Sequence, residues 1–262
     1  MFLSIDVGNT QTTIGLFADG GSFQHGWRLA TDRADTSDEL RERLHGYFAM
    51  DHFDLSLVSD AAIASVVPVL TRAWCRCLQK VLGRSPVRVG ADTPHTLPVD
   101  MPNPSTVGAD RIANAVAAIN TYGAPVIVVD FGTATNIDVV DARGSFRGGA
   151  IAPGLMLSAG ALFSRAAKLS SVPIEAPAQA LGNTTETAVQ SGLVIGAAAQ
   201  AEGLVARIKR ELAIEDAPVV ATGGLARTVA QATDLFTAVD PDLTLRGIRE
   251  IWLQINAAGT QA

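Results

Sequence analysis

Two stretches, Ile5-Asp6-Val7-Gly8-Asn9-Thr10 and Val129-Asp130-Phe131-Gly132-Thr133-Ala134, lie 124 residues apart and match aspartate to aspartate and glycine to glycine. Each follows an apolar run, Phe2 to Ile5 in the first case and the β-branched Val126 to Val129 in the second. Each breaks at glycine and resumes as a second strand-like run, so both read as hairpins with polar residues at the tip. The offset is nearly half of the 262-residue chain. A repeat at that scale predicts two α/β domains of similar design, residues 1–118 and 119–262.

Working outward, Thr36-Ser37-Asp38-Glu39 fits a capping box that opens a helix through Phe48. Leu57 to Val67 predicts a buried strand ending before Pro68, and Val69 to Leu82 a helix. Pro86 to Pro104 holds five of the twelve prolines, Pro86, Pro94, Pro98, Pro102 and Pro104, which favour extended and loop structure. Gly108 to Tyr122 reads as an alanine-rich helix. In the second half, helices are expected near Pro153 to Ala167 and over Thr187 to Leu212, with a strand at Val219 to Thr222 leading into Gly223-Gly224.

Composition narrows the function classes. The formal charge is -6, from 20 Lys plus Arg against 26 Asp plus Glu, so the chain as a whole attracts neither nucleic acid nor anionic lipid. Any anion it binds must be held by local donors. No apolar run is long enough to span a bilayer and no leader pattern opens the chain, so a soluble, cytoplasmic protein without membrane or nucleic-acid partners is expected. Cys75 and Cys77 have neither zinc-knuckle nor redox-pair spacing, and His25, His45, His52 and His95 are scattered, so no side-chain metal cage is expected.

A nucleoside triphosphate needs donors around its oxygens, and backbone N–H groups at a glycine turn supply them without side-chain bulk. Gly8 and Gly132 suit that task, with Asn9, Thr10, Thr12, Thr13, Thr133 and Thr135 adding polar side chains. Asp6 and Asp130 can orient a hydrated Mg²⁺ or another cation. One such turn alone reads first as a plain hairpin; two at domain spacing, each rich in hydroxyls, point to a ligand. The chain has neither the GxxxxGK[ST] of a P-loop nor a GxGxxG after its first strand.

The strings DVGNT and DFGTAT resemble the two phosphate motifs of the actin-like, or acetate and sugar kinase, superfamily, and VVATGGL resembles its adenosine motif. More closely, IDVGNT, PNPSTVGADRIANAVAA, VDFGTAT, GGAIAPG, QSG and ATGGLA, in this order, resemble the type III pantothenate kinase family across essentially the whole chain. The resemblance implies two duplicated RNase H-like (actin-like) domains with an ATP cleft between them. It also implies phosphorylation of pantothenate by ATP with Mg²⁺ and a monovalent cation, K⁺ or NH₄⁺, in a homodimer whose acceptor site the partner subunit completes.

Carried onto this sequence, the resemblance gives ATP the residues Asp6, Val7, Gly8, Asn9, Thr10, Gln11, Thr12, Thr13, Thr133, Gly223 and Gly224. Asp130 would hold the monovalent cation and Asp6 the Mg²⁺ through water. Pantothenate would meet Met101, Gly108, Ala109, Asp110, Arg111 and Thr185. Phosphoryl transfer to an alcohol needs a proton acceptor, and Asp110 is the candidate base. A helix starting near Val107 would put Asp110 in the first turn, where the dipole favours the carboxylate and a low pKa is expected. Arg111 offers a planar fork for the pantothenate carboxylate, although an Asp-Arg pair at a helix start is also an ordinary N-terminal charge beside a surface arginine.

Some positions depart from the family pattern. Met101 stands where the family commonly has tyrosine, and it brings no hydroxyl. Thr184 replaces the usual asparagine, Gln11 is variable, and Thr185 reads equally well as a helix cap. The Gly192-xxx-Gly196 spacing allows a close helix approach, within the core or with a partner. Two other readings remain: a same-fold kinase for another small hydroxy acid or sugar, and a nucleotide-binding accessory protein without turnover.

Overall fold

The computed structural model describes residues 1–93, 95–165 and 171–259. In chain order its elements are β1 (Phe2–Val7), β2 (Gln11–Phe17), β3 (Phe23–Ala30), α1 (Ser37–Met50), β4 (Asp60–Ser65), α2 (Pro68–Leu82), β5 (Val87–Val89), α3 (Ala109–Tyr122), β6 (Val126–Phe131), β7 (Ala134–Val140), β8 (Phe146–Pro153), α4 (Leu155–Arg165) and α5 (Thr185–Gln190). A π-helical stretch, Ser191–Ile195, then runs in right-handed conformation into α6 (Gly196–Leu212), followed by β9 (Val219–Thr222), α7 (Ala226–Ala230), β10 (Ala238–Val239) and α8 (Leu243–Gly259).

The chain forms two compact units. The first holds Met1–Leu97, Pro102–Ala117 and Leu243–Ala262, and the second Pro98–Met101 and Ala118–Asp242. The expected halves, 1–118 and 119–262, follow chain order; the compact units do not, because the chain's last helix returns to the first unit. The physical reason is the buried second face of β1. There the Ser4 hydroxyl donates to the Leu245 carbonyl at 2.7 Å and the Phe2 ring lies 4.6 Å from that of Trp252. On α8, Gly247 lets the helix backbone approach Ala113 of α3, where a Cβ would come within 2.9 Å of the Ala113 Cα. Thr244 also donates to the Asn114 Oδ1 at 2.7 Å.

Each unit has the same five-stranded plan. The orders are β3-β2-β1-β4-β5 and β10-β9-β6-β7-β8, so an antiparallel three-stranded meander continues into two parallel strands. The repeat extends to a break in register, between Leu16 and Phe17 in one sheet and Val139 and Val140 in the other. Central strands β1 and β6 are buried almost throughout, as strands covered on both faces must be, and both carry a less buried aspartate as the next-to-last residue. In the first unit, Leu40, Leu44 and Phe48 of α1 and Leu70, Trp74 and Leu78 of α2 pack with Leu3, Ile5 and Ile63. In the second, Val194, Ala198, Ala201 and Val205 pack with Ile127, Val129 and Val219.

Most expected elements form close to their anticipated places. The capping box at Thr36 and Glu39 is present with both reciprocal hydrogen bonds. The stretch from Leu57 is a short 3₁₀ turn at Leu55–Leu57 before β4, because the Asp54 carboxylate accepts the Ser56 N–H and closes the turn. The helix expected to Ala167 ends its described course at Arg165, and Ala167 lies outside the described residues. No helix among the described residues is long and apolar enough to cross a membrane.

Candidate active site

The two glycine turns sit at the C-terminal ends of the central strands, where open α/β sheets present their ligand sites. Asp6 pairs in register with Ala64 of parallel β4, and Asp130 with Thr222 of parallel β9. In the first turn the Gly8 N–H donates to the Gln11 carbonyl at 3.0 Å; in the second the Gly132 N–H donates to the Ala134 carbonyl at 3.0 Å. Val7 faces Thr12 and Phe131 faces Thr135. Counting inward from those pairs, Thr10 and Thr133 are equivalent, and Asn9 is an extra residue. The ungapped overlay of Asn9 on Thr133 therefore slips by one beyond the glycines, since the first turn is longer.

Each turn is strapped by the residue after the third strand of its meander. The Thr31 N–H donates to the Thr10 carbonyl at 2.9 Å, and the Gly154 N–H to the Thr133 carbonyl at 3.1 Å. In the first unit Thr31 adds a side-chain bond, its hydroxyl donating to the Gly8 carbonyl at 2.8 Å. With that proton committed, the 3.0 Å contact between the Thr12 and Thr31 hydroxyls has Thr12 as donor. In the second unit the strap is bare backbone, because a Cβ on Gly154 would overlap the Gly132 and Thr133 carbonyls, 2.8 Å from the Thr133 carbonyl carbon.

The residues predicted for ATP thus divide. Asn9, Thr10, Gln11, Thr133 and Gly224 are exposed, while Asp6, Gly8, Thr13, Asp130, Gly132 and Gly223 are partly buried. Val7 and Thr12 are buried, so a ligand can reach them only through backbone, and the Thr12 hydroxyl serves the strap. Gly223, at φ +91°, meets the Asp130 carboxylate so closely that a Cβ would overlap Asp130 Oδ1 and lie 2.8 Å from the Phe131 N. The Thr222 hydroxyl beside it is buried without a hydrogen-bond partner.

The acceptor motif opens α3. The helix begins at Ala109, just past the expected start near Val107, with Asp110 in its first turn as expected, and the Asp110 Oδ1 accepts the Arg111 N–H at 2.8 Å. That oxygen lies where a Cβ of Gly108 would stand, and the same position is 3.7 Å from Val66 just beyond β4. Val66 donates its N–H to the Val7 carbonyl at 3.1 Å, so Gly108 and Asp110 stand at the strand ends beside the first turn. The low pKa expected from the helix dipole is not what results. Burial raises the Asp110 carboxyl above its ordinary 3.8, and the Arg111 N–H and the Arg111 charge only partly oppose that.

Met101 and Thr185 belong to the second unit, whereas Gly108 to Arg111 belong to the first. Met101 packs beside β8, its Sδ 3.5 Å from where a Cβ on Gly148 would lie. Thr184, not Thr185, caps α5: its hydroxyl accepts the Thr187 N–H at 3.1 Å. The exposed Thr185 instead lines an open groove of about 610 Å³ with Ser158, Leu162, Val189 and Gly192. Gly192 meets nothing within 4 Å, and Gly196 only a carbonyl at 3.9 Å, so this spacing leaves open surface rather than a core contact.

Thr31, Arg33 and Gly154 were missed from sequence. The Arg33 guanidinium donates to the Asn9 Oδ1 at 3.3 Å, on the extra residue of the first turn. No group of three or more His, Cys, Asp or Glu side chains among the described residues could hold a metal, so a divalent ion at Asp6 would depend on water and phosphate oxygens.

Residues 2–207 match a family model described as type III pantothenate kinase. A type III pantothenate kinase of Thermomicrobium roseum is 46% identical over 252 residues, covering 96% of each chain, and one of Roseiflexus sp. is 45% identical over 255 residues, covering 96% of this chain and 98% of the relative. Among solved structures, the (R)-2-hydroxyglutaryl-CoA dehydratase component A of Acidaminococcus fermentans superposes with TM-score 0.56 at 15% identity, covering 98% of each chain. Likenesses at that identity establish the fold alone, a duplicated actin-like α/β architecture.

Proposed function

The chain belongs to the type III pantothenate kinase family, and on that premise we propose that it transfers the γ-phosphoryl group of ATP to the 4′-hydroxyl of pantothenate, the first step toward coenzyme A. The observation that carries this reading is Asp110, folded over the glycine at the start of α3 beside the first turn. Asp110 takes the hydroxyl proton as the bond to phosphorus forms. Its carboxylate, with the pKa raised by burial, is a better proton acceptor than an ordinary aspartate. Arg111 pairs with the pantothenate carboxylate, and Met101 and Thr185 contribute apolar and hydroxyl contacts to the same substrate.

Backbone donors at Gly8 to Gln11, together with Thr133, Gly223 and Gly224, hold the nucleotide. Asp6 orients Mg²⁺ through water, and Asp130, in its cradle against Gly223, suits a monovalent cation. Bound there, the metal ions neutralise phosphate charge. The protein acts in the cytoplasm as a homodimer. Support for the dimer comes from exposed Ile151, Met156, Leu157 and Leu181 in the unit that carries the Thr185 groove.

The absent hydroxyl at Met101 favours one second reading, a same-fold kinase for another hydroxy acid. ADP release coupled to a spectrophotometric readout, with pantothenate, other hydroxy acids and sugars, with and without K⁺, decides between them. Pantothenate-dependent turnover is expected. Turnover with a sugar alone would sink the proposal, and nucleotide binding without any acceptor-dependent turnover would point to an accessory protein.

A further inference from the structure

None of the residues predicted to hold ATP is a cation. The segments Asp6 to Thr13, Asp130 to Ala134 and Gly223-Gly224 contain no Lys or Arg, and two of their members are aspartates. The chain's net charge of -6 offers no compensating long-range field. Arg111 is taken by the acceptor carboxylate in the proposed reaction. A triphosphate held by backbone N–H groups alone would leave its terminal charge without a protein cation.

The fold supplies one from outside every motif. After β3 the chain crosses the first turn, where Thr31 bonds the Thr10 and Gly8 carbonyls. Two residues later Arg33 reaches the side chain of Asn9. The loop that carries it is held from behind: Asp35, its side chain 5% exposed, takes both terminal nitrogens of Arg43 at 2.8 and 2.7 Å, and Thr36 caps α1. Arg33 itself is exposed, and its bond goes to a neutral amide, so its charge is not cancelled by that contact. One of five guanidinium N–H donors is engaged, leaving a fork free for phosphate oxygens. The second unit has no counterpart, because its strap passes directly from Gly154 into α4 and its turn lacks the extra residue.

We propose that Arg33, docked on Asn9, is the cationic contact for the terminal phosphates of ATP. The terminal phosphates are assigned because the transferred group must lie at the unit that carries Gly108 to Arg111. The inference rests on the pantothenate kinase reading in placing ATP at this turn and the acceptor at Gly108 to Arg111, but its test needs no acceptor.

The test is equilibrium binding of ATP, ADP and AMP to the full chain and to Arg33→Gln and Arg33→Ala. Glutamine keeps an N–H donor for Asn9 and removes the charge, which separates a phosphate contact from a purely structural one. Both substitutions are at an exposed position, and unchanged melting temperatures would verify folding. Expected for both variants is a rise of about 10-fold or more in the Kd for ATP, the size of a lost charge-assisted hydrogen bond, with AMP binding unchanged and the salt dependence of ATP binding reduced. In turnover, the KM for ATP rises while that for pantothenate stays put. Arg33→Gln binding ATP like the unaltered chain would overturn the inference and leave the kinase reading standing. Absence of ATP binding by the unaltered chain would overturn both.

Discussion

The two glycine turns begin with the same aspartate and glycine and are then built differently. The first has one residue more, Asn9, and is tied down by the Thr31 hydroxyl, with Arg33 on its outer side. The second is shorter and is tied by Gly154, whose missing Cβ lets one backbone lie directly on another. A hydroxyl strap leaves room for a longer, exposed turn, while a glycine strap fixes a tight one beside a carboxylate. Duplication supplied the frame, and the proposed function places the terminal phosphates and the acceptor at the first tip and a cation at the second.

The largest effect should come from the group that makes the first turn's surroundings chemical. Asp110→Asn removes the proposed proton acceptor and is expected to lower kcat by roughly 10²-fold or more, with ATP binding nearly unchanged. Near-normal steady-state turnover of that variant would remove the asymmetry between the turns. Next, Gly154→Ala drives a methyl into the Gly132 and Thr133 carbonyls. It should cost about 2 kcal/mol, visible in thermal or urea melts. Thr31→Val keeps the shape of the first strap and removes its two hydroxyl hydrogen bonds, to the Gly8 carbonyl and from the Thr12 hydroxyl, for about 1.5 kcal/mol in all. If Thr31→Val proved as damaging as Gly154→Ala, the two straps would be equally rigid and the contrast between them would fail.

Much of this was legible in the sequence. Strands β1 and β6 announce themselves by unbroken apolar runs, and the capping box before α1 by its residue types alone. The third strand of each meander was not, because β3 carries Gln24, His25, Gly26 and Arg28 and β8 carries Gly148 and Gly149, which dilute the alternation a strand needs. With those strands unseen, Thr31, Arg33 and Gly154 had no reason to stand at the turns. The return of α8 was equally hidden, since it depends on the second face of β1 needing cover, a tertiary demand with no local signature. The low pKa expected of Asp110 does not hold for a related reason: the dipole is local and readable, whereas burial is not.

That burial gives the smallest and most specific prediction. The Asp110 carboxyl lies above its ordinary 3.8 in the folded chain, with desolvation the leading cause. The proposed base works only as carboxylate, so kcat/KM for pantothenate should fall on the acid side at a pH above the range of an ordinary aspartate. A folded pKa above the unfolded one means that the fold favours the neutral acid. Its contribution to stability is complete below the unfolded pKa, near 3.8, and is lost as pH rises through the folded value. Asp110→Asn, neutral throughout, should therefore melt above the unaltered chain at pH 8, with the gap closing toward pH 4. Thermal melts of both proteins across that span, set beside the pH–rate profile, measure one property in two ways. An acid limb at the ordinary aspartate value with no melting gap would mean that Asp110 is solvated, and the first turn would lose the tuned base that distinguishes it from the second.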